Sequence, residues 1–330
     1  MRIKKEVRKI VASVLAFLMV VSLIPVNSLI TKANAASKTT FEGGKTVEDG
    51  TWKGWTWNVF GSSTDVTKAF ATDTGNGGVT LEVTGDKGKI NGSASDQGLN
   101  TFLYELDKSY DFTITAQAKV DTLAANAQAA FGLTIRDNVG AHGNTAKLTA
   151  DKNNFAFVGG YGNQAASGHG NAGYKTTALA HTRLGESPEV GGTYDLAIQK
   201  VGDSVKLYFN GEVAAECSAD DLITDNAMYV GLFAARNAKV TFNNVKLAYT
   251  QDSSSVKVTT NVTAPKKTTY CAGNTYEDVD LTGFKATVSV DGKEREITAS
   301  DCVVDMSNDP FAEVTDAGKL NLLYLGQTIE

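Results

Sequence analysis

From Val79 onward, apolar and polar residues alternate with a period of two over short runs separated by Gly, Asn and Asp, the pattern of half-buried strands. "YDLAIQKV" puts Tyr194, Leu196 and Ile198 on one face and Asp195, Ala197 and Gln199 on the other. "GD" turns the chain, and "SVKLYFN" repeats the pattern with Val205, Leu207 and Phe209. Asn210-Gly211 then suits a two-residue hairpin, because both positions tolerate positive φ. Residues 193–216 therefore read as a three-stranded meander, with further strands near 79–84, 99–106, 111–120, 128–136, 154–160 and 227–235. In "KVTFNNVKLAY" Val240 and Phe242 share one parity, while Val245, Leu247 and Tyr249 share the other. A slip of one residue at Asn243 and Asn244 restores a common inward face and predicts a β-bulge. Helix signals are few: "LAANAQAA" is compatible with a helical turn, and Ser218 in "SADDLIT" suits the cap of a short helix. The pattern predicts an all-β chain whose main part is a two-sheet antiparallel jelly-roll sandwich.

Ahead of this pattern, "MRIKKEVRKI" carries five Lys and Arg before a fifteen-residue apolar run, Ile10 to Ile24. A membrane span needs about 20 such residues. Pro25 and the small residues Ala33 and Ala35 supply a stop and a cleavage site. Residues 1–35 thus read as a signal peptide, with a membrane anchor as the alternative. The expectation is a secreted, extracellular protein with no membrane attachment after cleavage. The chain holds 31 Lys and Arg against 37 Asp and Glu, and the first 35 residues take six of the basic and one of the acidic residues, leaving 25 against 36. So acidic a chain lacks the basic footprint of nucleic-acid binding. It also repels polyanions unless a local basic spot outweighs the general field. Cys217, Cys271 and Cys302 form an odd set without metal-ligand spacing. Cys271 and Cys302 either pair in an oxidising exterior or stay free, which spacing does not decide.

The polar run "QDSSSVK", residues 251–257, reads as a linker. Beyond it, "PKKTTYCAGNTYEDVDLTGFKATVSVDGKEREI" resembles a bacterial immunoglobulin-like domain of the kind strung between modules of secreted Gram-positive proteins. The resemblance spans residues 256–330 and rests on Pro-x-Lys-x-x-Tyr, a Gly-bearing turn, "LTG", a strand and an Asp-Gly turn. It implies a small immunoglobulin-like β-sandwich over 258–330, a spacer with no binding residue of its own. That family's closing strand runs further than "QTIE", so the natural chain is expected to continue past Glu330.

The larger segment, 36–250, carries "TWNVFGSST", "GKINGSASDQGLNTFLYELDKSYDFTITAQAKV", "AAFGLTIRDNVG" and "YVGLFAARNAKVTFNNVKL". These resemble the concanavalin A-like lectin and glucanase sandwich, laminin-G-like, in the form that stands N-terminal to the catalytic module of secreted bacterial pectate lyases. The resemblance implies two antiparallel sheets and an accessory role beside polysaccharide-degrading enzymes.

Three places offer chemistry. "GTWKGWTWNVFG" holds all three tryptophans. Trp55, Trp57 and Val59 share a face if the run is a strand, which assigns Trp57 to the core. Trp52, between Gly50 and Gly54, or Trp55 is the better candidate to stack on a pyranose ring; the competing reading is a buried start of the domain. In "AFGLTIRDN", Phe131, Leu133 and Ile135 take one face, Arg136 projects from the other, and Asp137 ends the strand. A guanidinium suits bidentate capture of a uronate carboxylate, but the favoured reading is a structural one, Arg136 paired with a neighbouring carboxylate to tie sheet and loop together. "VGGYGNQAASGHGNAGY" offers Tyr161, Asn163, His169 and Asn171 on a Gly-rich loop, either a sugar site or plain surface; it lacks the ending of a phosphate loop.

No catalytic residue is assigned. Glucanases of this sandwich use Glu-x-Asp-x-x-Glu, and "ELDKSYD", Glu105 to Asp111, has the wrong spacing. His142, His169 and His181 have no nucleophile elbow near them. Asp73 and Asn76 in "TDTGNGG" offer oxygens to calcium, but no motif calls for a cofactor and a turn accounts for them. The sequence therefore reads as a secreted, non-catalytic carbohydrate-binding or accessory module of a pectin-degrading system, its partner a polysaccharide, as the front part of a longer pectate lyase with a downstream catalytic domain. Two alternatives stand beside it: a polysaccharide lyase or glycoside hydrolase with its active site in the sandwich, and a surface structural or adhesion protein.

Overall fold

A computed structural model describes residues 38–61, 64–90, 97–126, 128–146, 148, 153–161, 170–175, 179–182, 184, 188–307, 310–312 and 319–329. The expected signal peptide, 1–35, and the site candidates Asn163 and His169 lie outside these residues. Among the described residues, strands form two large sheets. The first, in spatial order, is β1 (Thr39–Thr40), β3 (Ala69–Asp73), β4 (Val79–Val83), β15 (Ala238–Thr250), β6 (Asp111–Leu123), β11 (Thr193–Val201), β12 (Ser204–Phe209) and β13 (Glu212–Ser218). The second is β10 (Leu179–Thr182), β9 (Gly170–Lys175), β8 (Phe155–Tyr161), β7 (Ala130–Arg136), β14 (Ala227–Ala235), β5 (Leu99–Asp107) and β2 (Trp55–Phe60). All their pairings are antiparallel.

Alternation sets which side chains meet between the sheets. Ile114 of β6, Leu196 and Ile198 of β11 and Leu207 of β12 belong to one core cluster with Leu133 and Ile135 of β7 and Val230 and Leu232 of β14. Each such fully buried side chain contributes roughly 1.5–3 kcal/mol. The chain folds as the expected jelly-roll sandwich. Asn210 and Gly211 both adopt positive φ, 47° and 79°, as a tight hairpin turn demands. The register of β15 against β6 shifts between Asn243 and Lys246, with Asn244 at φ 51°. This bulge turns Val245 into the same core as Val240 and Phe242. Ser218 caps the short helix α1 (Ala219–Leu222), its Oγ accepting from the Asp221 amide at 3.1 Å.

"LAANAQAA" makes no helix among its described residues. Leu123 ends β6, Ala130 starts β7, and Asn126 holds the turn between them by accepting from the Gln128 amide at 2.8 Å. A side chain that satisfies nearby backbone donors in this way competes with a helix for them.

The described residues of the C-terminal segment form two three-stranded sheets, β16 (Lys257–Thr263), β17 (Lys285–Val290) and β18 (Lys293–Thr298), and β19 (Val303–Asp305), β20 (Asn321–Tyr324) and β21 (Gln327–Ile329). They share a cluster that includes Phe284, Val288, Ile297, Leu322 and Ile329. This segment packs on the outer face of the eight-stranded sheet. Val303 meets Ala197 and Tyr208, Thr115 Oγ1 donates to the Ser300 carbonyl at 2.6 Å, and the Met306 amide donates to the Gly211 carbonyl at 2.9 Å. The run 251–257 is tied on both sides rather than strung out. Ser253 is buried and its amide donates to Asp111 Oδ2 at 3.3 Å, while Thr250 Oγ1 donates to Asp291 Oδ1 at 2.7 Å. The three cysteines are unpaired, with Cys271 exposed and Cys302 buried. No helix among the described residues is long and apolar enough to cross a membrane.

Candidate functional site

The outer face of the seven-stranded sheet is where the polar candidates gather. The parity opposite to Leu133 and Ile135 places Arg136 there, directly across from Phe155 of β8 and Tyr229 of β14. Phe155 in turn faces Lys175 of β9, so Arg136, Phe155 and Lys175 form one cross-strand row with a cation at each end. Alternation alone leaves this face open to solvent, yet it is covered. Phe60, Phe155, Phe157 and Phe233 are fully buried in a second apolar cluster on this side. Four phenyl rings on one face are too much apolar surface to leave wet, and loops without any periodicity fold over them.

Arg136 is wholly enclosed. Its Nη2 donates to Gln97 Oε1 at 2.9 Å and to Asn153 Oδ1 at 3.0 Å, and Nε donates to the Asn138 carbonyl at 3.2 Å. The guanidinium lies over the rings of Phe155 and Phe60, 5.0 and 5.7 Å from their centroids, an attraction strengthened by the loss of water. Its Nη1 is buried without a partner among the described residues. Burial lowers the guanidinium to about 10, so it remains charged at neutral pH, and its bonded partners are all neutral.

Asp137 is 2% exposed. Its Oδ1 accepts from the Asn154 amide at 3.0 Å and its Oδ2 from the Thr224 hydroxyl at 3.3 Å. Burial raises its carboxyl to about 6, more than the nearby Arg136 charge and these hydrogen bonds pull it down. Lys175 is also buried, and desolvation lowers its ammonium from the ordinary value. Asn153 Nδ2 and Asn154 Oδ1 beside these groups, and Asn171 Nδ2 further along β9, are buried without partners among the described residues. Asn171 Oδ1 accepts from the Leu184 amide at 2.8 Å. Tyr161 stands half-buried at the far end of β8, edge-on to Phe157 at 6.0 Å, with its hydroxyl pKa raised by burial.

The tryptophans lie elsewhere, between the sheets. Trp55 stacks on Phe102 at 5.2 Å, and Trp52 meets Trp55 and Phe102 edge-on at 5.7 and 5.5 Å. Both are about 95% buried, at 5% and 4% exposure. Trp57 is in the same core, its Nε1 donating to Asn100 Oδ1 at 2.7 Å. The structure therefore brings Arg136 and Asp137 together with Lys175, Gln97, Asn153 and Asn154, and keeps Trp52 and Trp55 apart from them. The last four carry no recognisable sequence signal. They are single polar residues in loops or at a strand end: the register of β7, β8 and β9 sets Lys175 in a row with Phe155 and Arg136, while Gln97, Asn153 and Asn154 come from the segments ahead of β5 and β8.

Among the described residues, no group of three or more His, Cys, Asp or Glu is arranged to hold a metal ion. Asp73, weighed as a calcium oxygen, accepts from the Gly75 amide at 2.8 Å within a turn closed by Thr74 and Gly78.

The chain is similar to pectate lyase L of Thermoclostridium stercorarium, with 30% identity over 253 residues. The match takes in 76% of this chain but only 19% of that protein. No family model matches the chain. Among solved structures, carbohydrate binding module CBM66 from Bacillus subtilis aligns at 15% identity and a TM-score of 0.30, over 63% of this chain and 98% of its own. Lectin II from Ulex europaeus aligns at 11% and 0.36, over 64% and 96%. The alginate lyase from Corynebacterium sp. aligns at 11% and 0.35, over 52% and 77%.

Proposed function

We propose that this chain is a secreted, non-catalytic carbohydrate-binding or accessory module of a pectin-degrading system, its large sandwich followed by an immunoglobulin-like spacer. The observation that carries the reading is the similarity to pectate lyase L, which engages three quarters of this chain but less than a fifth of that protein. A segment of that proportion fits a module that works beside a catalytic one. Binding would act by proximity, since even a weak sugar site raises the effective concentration of an attached enzyme on insoluble substrate.

The site best suited to an acidic sugar is the row on the seven-stranded sheet. Among the described residues, Arg136 keeps Nη1 unpartnered, has only neutral hydrogen-bond partners and shares its face with Lys175. A uronate carboxylate at Nη1 would supply the counter-charge that the protein does not bond to this guanidinium. Because Arg136 is enclosed, binding there requires the covering chain to part, which sets a weak affinity. Of the sequence candidates, Arg136, Asp137 and Tyr161 remain in the proposal; Trp52 and Trp55 are core residues and take no part in it.

Affinity electrophoresis in polygalacturonate, with titration of trigalacturonate, tests the reading. The protein is expected to be retarded. Arg136→Lys and Lys175→Gln, each verified as folded by thermal denaturation, are expected to weaken trigalacturonate about tenfold. Absence of retardation, or binding untouched by both changes, removes the acidic-sugar site. Unsaturated products released from polygalacturonate by the protein alone would establish a lyase instead.

A further inference from the structure

A second recess lies on the opposite sheet, where the C-terminal segment meets the sandwich. It is a cleft of about 400 Å³, within the roughly 300–1,000 Å³ of small-ligand sites. Its floor is built from two cross-strand rows on the outer face of the eight-stranded sheet. Thr115, Ala197 and Tyr208 make one row, buried at the back of the cleft under Val303 and Ser300, and Gln117 and Asp195 begin the other, half-buried one, which Asn210 completes by accepting from the Asp195 amide at 2.9 Å. The wall comes from the C-terminal segment through Tyr276, Val279, Leu281 and Ser300. Thr193, Asn244 and Glu277 stand exposed at the lip. Asp195 joins floor to wall, its Oδ1 accepting from Gln117 Nε2 at 3.1 Å and its Oδ2 from the Tyr276 hydroxyl at 3.2 Å. Burial and the adjacent Asp195 raise the Tyr276 pKa, so this hydroxyl keeps its proton and donates it.

The chemistry of the lining selects the occupant. Amide, hydroxyl and carboxylate groups alternate with Tyr276 and small aliphatic surface, the mixture that accepts a sugar ring by its hydroxyls and its C–H face together. Among the described residues, two carboxylates, Asp195 and Glu277, line the cleft and no Lys, Arg or His does. Lys246, which pairs with Thr115 on β15, is exposed and not part of the lining. A uronate would meet two like charges here and no cation. We propose that this cleft is a binding site for an uncharged saccharide of one or two rings, held by side chains of both the sandwich and the C-terminal segment. It is separate from the acidic-sugar site, so the chain would read neutral and acidic sugars on opposite sheets.

Calorimetric titration of the whole protein with cellobiose, xylobiose, galactobiose and digalacturonate tests this. At least one neutral disaccharide is expected to bind saturably. Gln117→Ala, which removes a floor amide without touching the core, is expected to weaken it about fivefold, and Tyr276→Phe by a similar factor. Arg136→Lys, the probe of the other site, is expected to leave neutral binding unchanged, so either site can fail without the other. The proposal is overturned if none of the three neutral disaccharides binds, or if their binding survives both Gln117→Ala and Tyr276→Phe.

Discussion

Asp137 shows how one buried residue writes itself into stability. Its carboxyl ordinarily titrates near 3.8 and in the folded protein near 6. Between those values the folded protein holds a proton that the unfolded chain has released. Its contribution is therefore most favourable below about pH 4, declines as pH rises to about 6 and is level above, with a total span of up to about 3 kcal/mol. Carboxyls nearer the surface, such as Asp65 and Asp203, whose pKa values are lowered by hydrogen bonds, act in the opposite sense, so the comparison must be with a variant. Asp137→Asn keeps an oxygen for the Asn154 amide. Urea midpoints at pH 4, 5, 6 and 7 are expected to show the variant gaining on the wild type as pH rises; a flat difference would mean that Asp137 titrates normally. Part of this site was legible in sequence, because alternation in "FGLTIRD" alone sends Arg136 to the face away from Leu133 and Ile135. Its enclosure was not, because Gln97, Asn138 and Asn153 arrive from loops whose folding over Phe155 and Phe60 leaves no periodic trace. Trp52 was opaque for the same reason: it stands outside any alternation, and its ring reaches the core from a turn.

At the scale of elements, strand parity was the most readable quantity. The expected strands at 99–106, 111–120 and 227–235 appear as Leu99–Asp107, Asp111–Leu123 and Ala227–Ala235. The change of parity at Asn243 and Asn244 is a true bulge, because without it Val245 would leave the core that Phe242 occupies. Strand order across each sheet was not readable, since β15 pairs with β6 and β4 far away in sequence and nothing local encodes which partner it takes. The bulge makes a prediction of its own. Asn244 sits at φ 51°, which Asn and Gly tolerate and a β-branched residue resists. Asn244→Gly is expected to change stability by less than about 0.5 kcal/mol, and Asn244→Val to cost about 1–2 kcal/mol. Chemical denaturation measures both. If valine is tolerated as well as glycine, the bulge is held by something other than this backbone conformation.

For the whole molecule, the seam between the sandwich and the C-terminal segment decides whether the chain unfolds as one body or two. The seam closes at Gly211, which does two things at once: it takes φ 79° in the β12–β13 turn, and it leaves room for Tyr276 and Met306, which a Cβ there would approach to 2.6 and 2.7 Å. Gly202, in the neighbouring β11–β12 turn, separates these roles. It also has positive φ, 56°, but a Cβ there meets nothing within 4 Å. Gly202→Ala should therefore cost only backbone strain, about 1–2 kcal/mol, and lower a single unfolding transition. Gly211→Ala carries the same strain and also pushes the C-terminal segment off the sheet. It is expected to split the calorimetric trace into two transitions and to let trypsin cut at Lys257, beside the run that Ser253 and Thr250 tie down in the wild type. Equal effects of the two substitutions would show that the seam does not couple the segments, and the cleft built across it would then lose its rigid wall.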